Sequence, residues 1–177
     1  LRGSLQDSLD RLRKMVNRIQ RLTNLDEAAA QEANLNELVT EAVALMKPHS
    51  PDGTRFDLDL QPVPNVTCKP QRLISVLCSL LANSFQALNG NGRIAVSTAM
   101  RDSRLELKIE DNGRGIAAER LVHIFDPRFQ VADGRVSTGN WSLFTSRQYM
   151  IEDGGDIRIQ STEGKGTTVC LTLRIPS

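Results

Sequence analysis

The segment Asp111-Asn112-Gly113-Arg114-Gly115-Ile116 puts a carboxylate, an amide, a guanidinium and two glycines into one short stretch. It directly follows the alternating run Leu105, Leu107, Ile109, which reads as a strand. An acidic side chain there stands at a strand end. The glycines beyond it let the backbone turn sharply and come close to a ligand. A carboxylate beside such backbone can accept a hydrogen bond from an exocyclic amine such as that of adenine. The same residues are also compatible with an ordinary Asx turn opening a helix.

A second candidate is Asn83, in Leu77-Cys78-Ser79-Leu80-Leu81-Ala82-Asn83-Ser84. It is an amide in an otherwise apolar helical run, and a polar group there needs partners. A Mg²⁺ ion shared with phosphate oxygens would use it as a hard oxygen ligand. Backbone partners inside the core would satisfy it equally well. A third is Ile124-Phe125-Asp126-Pro127-Arg128-Phe129, whose aromatics around a proline either fix the root of a loop or fill core.

The elements that carry these residues follow from periodicity and punctuation. Residues 4–23 read as a helix, with Leu5, Leu9, Leu12, Val16 and Ile19 on the seam of a coiled coil. Its basic face bears Arg11, Arg13, Lys14, Arg18 and Arg21. Such a seam needs a partner, either the rest of the chain or a second subunit. Asn34 with Glu37 resembles a capping box opening a helix to about Lys47, which Pro48 ends. Residues 55–60 alternate as a half-buried strand, and Pro70 to about Leu88 is a helix with a strongly apolar side. Strands are expected at about 93–100, 104–110, 156–161 and 167–175. The stretch 111–140 reads as irregular, apart from a short helix near 117–124. A further helix covers about 142–152 and closes at Gly154-Gly155. The order predicts an α+β fold: a two-layer sandwich of a mixed, mostly antiparallel sheet against helices, preceded by a coiled-coil-like helix.

With 177 residues the chain can hold one good core and a helical appendage. Net charge of +1 and 4% aromatics speak against nucleic acid as a partner. The three cysteines, Cys68, Cys78 and Cys170, have no paired spacing, which implies reduced thiols and a cytoplasmic compartment. No apolar run reaches membrane-spanning length. The start, Leu1-Arg2-Gly3-Ser4, lacks Met, so a longer protein is expected, with any membrane anchor or sensor upstream.

Taken in order and spacing, these segments resemble the ATP-binding domain of sensor histidine kinases, within the superfamily of gyrase B, the heat-shock protein 90 chaperones and MutL. The resemblance covers about 34–177. It implies that Asn83 holds Mg²⁺ and that Asp111 binds the adenine amine, with Gly113, Gly115 and Ile116 beside it. It implies that Phe125, Pro127 and Phe129 root an ATP lid. Gly164, Gly166 and Thr167 match the final glycine-containing strand turn, and Arg147 with Gly154-Gly155 matches the helix after the lid. Residues 1–33 are then a dimerisation segment, with 4–23 resembling the second helix of the phosphoacceptor bundle. ATP, Mg²⁺, a homodimer and a response regulator are the implied cofactors and partners.

The lid departs from that pattern. The family's lid glycines fall on Thr138-Gly139-Asn140-Trp141-Ser142-Leu143, where none stands in register. Those glycines let backbone N–H groups wrap phosphates. Trp141 is bulky beside a triphosphate. Ser79 replaces the first Asn of the helix motif, and Gln86 stands where a base is frequent. Neither His49 nor His123 matches a phosphoacceptor. Two functions follow: a histidine kinase domain that phosphorylates a His outside this stretch, or a degenerate scaffold that docks a response regulator without ATP turnover. An anti-sigma kinase of the same superfamily fits less well, because of helix 4–23.

Overall fold

The computed structural model describes residues 29–127, 129–132, 135–138 and 141–175, with backbone only for 129–132 and 135–138. Helix 4–23 lies outside the described residues. Strand β1 is Gln31–Ala33, followed by helix α1 (Leu35–Met46) and a 3-10 turn at Lys47–His49. Then come β2 (Arg55–Leu60), β3 (Val66–Cys68) and helix α2 (Pro70–Ala87). Strands β4 (Arg93–Arg101) and β5 (Arg104–Asp111) precede the short helix α3 (Ala118–Leu121). Strands β6 (Phe129–Ala132) and β7 (Arg135–Thr138) lead to helix α4 (Trp141–Glu152) and the closing strands β8 (Asp156–Thr162) and β9 (Gly166–Arg174).

The central sheet runs β2-β4-β5-β9-β8. Only β2 and β4 pair in parallel, and the other neighbours are antiparallel. This is the mixed, mostly antiparallel layer expected, with α1, α2 and α4 forming the second layer. Alternation decides which face meets the helices. Leu105, Leu107 and Ile109 of β5 are buried, as are Val169, Leu171 and Leu173 of β9. Glu106, Lys108 and Glu110 point away.

Helix α1 begins where Asn34 Oδ1 accepts from the backbone N–H groups of Asn36 (2.9 Å) and Glu37 (3.3 Å). Its buried stripe, Leu35, Leu38, Val39, Ala42, Val43 and Met46, lies on α2. Helix α2 opens on Pro70, whose missing N–H costs nothing in a first turn. It is the core helix, with Leu73, Val76, Leu77, Leu80, Leu81 and Phe85 almost fully buried. Phe56 of β2 meets Phe85 edge-on, with ring centroids 6.1 Å apart.

Arg72, 4% exposed, ties α2 to the end of α4. Its Nη1 donates to Glu152 Oε2 at 2.8 Å, and its guanidinium lies 4.5 Å over the Tyr149 ring. Helix α4 ends as expected: Gly154 has φ +77°, and Gly155 N–H donates to Met150 O at 2.7 Å. No helix among the described residues is long and apolar enough to cross a membrane.

Three features correct the sequence reading. Strand β1 pairs antiparallel with β3, so Gln31–Ala33 are strand and not part of a helical segment. Neither strand has the length for a period-two signal. The stretch 111–140 is not irregular throughout, because β6 and β7 form a hairpin pairing Ala132 with Arg135. Its signal was present in Asp133-Gly134, a favoured two-residue turn pair between alternating runs. The short helix also stops at Leu121, and turns cover 122–125.

Candidate functional site

Asp111 is the last residue of β5 and sits between two strands, opposite Ile94 of β4 and Thr167 of β9. Its Oδ1 accepts the Gly113 N–H at 2.9 Å. Asn112 turns the other way. Its Oδ1 accepts from Arg93 N–H at 2.7 Å, and its own N–H reaches Arg93 O at 3.2 Å. The expected Asx-type closure is therefore real, and it holds the carboxylate in place.

The glycines have separate reasons. A Cβ on Gly113 would stand 2.6 Å from Ala87 O, where the turn packs on the end of α2. Gly115 has φ +68°, and a Cβ there would be 2.0 Å from Thr162 O. Between them, Arg114 N–H donates to Ala87 O at 2.9 Å, and Arg114 O accepts from Gly164 N–H at 2.7 Å. The loop is thus pinned between α2 and the β8–β9 turn.

A pocket of about 130 Å³ opens beside this loop. That is smaller than the roughly 300–1,000 Å³ that encloses a whole drug-sized ligand, so it seats a ring and leaves the rest of a larger ligand outside. Asn83, Asp111, Gly115, Ile116 and Thr167 all line it. Gly113 and Phe125 do not. Gly113 packs behind Asp111, and Phe125 lies under the Arg147 guanidinium at 4.6 Å, while its neighbour Ile124 takes the wall position. Arg147 also donates from Nε to Asp156 Oδ1 at 3.2 Å, which links the segment before β6 to α4 and β8.

Burial pushes the Asp111 carboxyl above its usual value of 3.8, opposed by donors from Gly113 N–H, the Ser84 hydroxyl and the Thr167 backbone. Ser84, on the pocket wall, and Ser161, beside it, are polar residues that the sequence reading passed over. Ser84 is buried one position beyond Asn83 and faces Asp111. Ser161 Oγ accepts from Ile116 N–H at 2.9 Å, donates to Gly166 O at 2.8 Å, and lies 2.9 Å from Thr167 Oγ1. A serine in a strand gives no spacing signal of its own.

Asn83 faces the pocket with a buried Nδ2 that has no hydrogen-bond partner. A buried, unsatisfied amide asks for a ligand. Turned about its last bond, the same amide presents Oδ1, a hard oxygen suited to Mg²⁺. Among the described residues Asp111 is the only carboxylate on the wall, so a metal at Asn83 would draw its other oxygens from phosphate and water. Among the described residues no cluster of His, Cys, Asp or Glu could hold an ion by itself.

Of the lid residues, Ser142 does not line the pocket. Thr138 pairs with Phe129 in the β6–β7 hairpin. Gly139 and Asn140 lie outside the described residues. Ser142 is exposed in the first turn of α4, and the next residue, Leu143, lines the pocket. Trp141 is 54% exposed and packs on Phe144 at 5.7 Å. His123 is exposed and reaches Asp126 Oδ2 at 2.8 Å, so it is a turn residue and not core. The three cysteines are free thiols, each pushed up to about 11 chiefly by burial.

Comparison with known proteins agrees with this geometry. The family described as "Histidine kinase-, DNA gyrase B-, and HSP90-like ATPase" matches residues 68–177. Sensor histidine kinase ZraS of Escherichia coli K12 is 30% identical over 171 residues, covering 94% of this chain and 36% of that protein. Signal transduction histidine-protein kinase AtoS of the same strain is 29% identical over 173 residues, covering 94% of this chain and 28% of that protein. The chain therefore spans about a third of the length of these relatives. A nucleotide-free catalytic domain of histidine kinase ThkA superimposes with a TM-score of 0.72 at 24% identity, covering 83% of this chain and 99% of that one, which shows a shared fold. The sheet order, the glycine-flanked Asp111 loop and the family match together show that this chain belongs to the histidine kinase-, DNA gyrase B- and HSP90-like ATPase family.

Proposed function

We propose that this chain is the ATP·Mg-binding part of a two-component sensor histidine kinase, presenting the γ-phosphate to a histidine outside residues 1–177. The observation that carries this reading is the placement of Asp111. A half-buried carboxylate, oriented by Gly113 N–H, lines a ring-sized pocket together with Asn83, whose buried amide nitrogen is unsatisfied. Asp111 accepts the exocyclic amine of adenine. Ser84 and Thr167 complete the polar end of the pocket, while Leu80, Ile116, Ile124 and Val169 sandwich the ring. Asn83 would hold Mg²⁺, which would supply charge to neutralise the phosphates. Transfer then forms a bond from the histidine nitrogen to phosphorus and releases ADP.

The partners follow from the same reading: a second copy through residues 4–23 and a response regulator that takes the phosphoryl group. The domain works in the cytoplasm, with any anchor upstream. One observation favours a second reading, a scaffold that binds nucleotide without turnover. Trp141 and Ser142 open α4 where phosphate-wrapping glycines are expected, and Trp141 stands exposed. The two are separated by incubating the full-length protein with γ-labelled ATP and assaying acid-labile, base-stable label. Label on a histidine supports the kinase. Tight ATP binding without label overturns it in favour of the scaffold.

A further inference from the structure

We infer that Arg114 and Arg120 are the cations that hold the phosphate end of the nucleotide in this chain, taking over from the lid glycines. The inference rests on the nucleotide reading above and extends it to residues outside the lid. Asp111, Ser84 and Thr167 line the pocket and lie half-buried or deeper. Two guanidinium side chains, Arg114 and Arg120, line it from exposed positions at its mouth. Among the described residues Asp111 is the one carboxylate there, so their part of the wall carries an excess of positive charge.

Among the described residues neither arginine forms an ion pair. An arginine that lines a pocket without an ion-pair partner is available for a planar, two-pronged contact with phosphate oxygens. Both are carried on firm backbone. Arg114 is pinned on both sides, through its N–H to Ala87 O at 2.9 Å and its carbonyl to Gly164 N–H at 2.7 Å. Arg120 N–H donates to Ala117 O at 3.0 Å in the single turn of α3. Gln86, also on this wall, brings no charge. The positive groups of the site therefore come from the loop after β5 and the helix following it.

The test is a binding series on the whole chain with adenosine, AMP, ADP and ATP, for wild type, Arg114→Gln, Arg120→Gln, Arg120→Lys and Asp111→Asn. Both arginines are exposed, so equal thermal melting of the variants serves as the folding control. Wild type is expected to bind ATP more tightly than adenosine. Each Gln variant is expected to lose about tenfold in ATP affinity with adenosine affinity unchanged, and Arg120→Lys to recover part of that loss. Gln variants with an unchanged ATP-to-adenosine ratio overturn the inference. If Asp111→Asn weakens adenosine and ATP alike in that case, the nucleotide reading stands without it. If wild type binds none of the four, both fall together.

Discussion

Asp111 Oδ1 and Gly113 N–H, 2.9 Å apart, close a turn that does two tasks at once. The bond fixes the direction of the carboxylate at the end of β5. The same turn brings the chain so close to α2 that residue 113 has no room for a side chain beside Ala87 O. Orientation of the acid and tight packing of the loop are therefore one structural fact.

Asp111→Asn is predicted to separate binding from stability. Asn keeps the acceptor for Gly113 N–H but cannot serve the adenine amine as a carboxylate does. Adenosine affinity should fall about tenfold or more. Burial raises the folded-state value above the usual 3.8, so the acid form is the one that folding favours. That contribution is present below 3.8 and is lost as pH rises through the raised folded value. The unliganded variant should then melt at or above the wild-type temperature at neutral pH. Melting curves across pH, with and without adenosine, check both halves.

Nucleotide affinity itself should weaken on acidification, starting at a higher pH than an ordinary carboxylate would cause, because ionised Asp111 is the stronger acceptor for the amine. Asp111→Asn should show a flat profile over the same range, as measured by titration at a series of pH values.

Asn83→Ala is predicted to abolish the effect of Mg²⁺ on ATP affinity and leave adenosine binding intact. The unliganded fold should change by no more than about 1 kcal/mol, because the amide nitrogen that is lost has no partner to strand. Denaturant unfolding with parallel titrations tests this.

Gly115→Ala and Gly164→Ala should differ although both sites have positive φ. At Gly115 the new Cβ meets Thr162 O at 2.0 Å, while at Gly164 nothing lies within 4 Å. We expect about 3 kcal/mol of destabilisation at the first and about 1 kcal/mol, the bare left-handed backbone cost, at the second. Urea midpoints for the two variants measure it.

Arg72→Met should cost about 2 kcal/mol, since Glu152 loses its partner and Asp153, half-buried and already raised by burial, loses a nearby cation. The loss should appear as a lowered melting temperature that acidification partly restores.

How much of this was legible in the sequence differs by element. The alternation of β5 and β9 and the apolar side of α2 are strong periodic signals, so the sheet and its core helix could be read directly. The β1–β3 pair could not, because three-residue strands carry no period and Gln31-Glu32-Ala33 favours helix locally. The β6–β7 hairpin could have been found from Asp133-Gly134 and was masked by the expectation of an irregular lid. In the site, Asp111 and Asn83 announce themselves as polar residues in apolar or glycine-rich settings. Ser84, Ser161 and Arg120 do not, since only the fold brings two helices to one wall and sets Ser161 against Thr167 beside it. Phe125 reads as a site residue from its motif and instead packs beneath Arg147.

We propose that Asp111 recognises the base of a nucleotide held with Mg²⁺ at Asn83. Titration of a fluorescent ATP analogue with and without Mg²⁺, on wild type and Asp111→Asn, tests it most directly. We predict saturable binding that Mg²⁺ strengthens in wild type and that Asp111→Asn weakens about tenfold or more. Equal binding by the two proteins, or none by wild type, contradicts it.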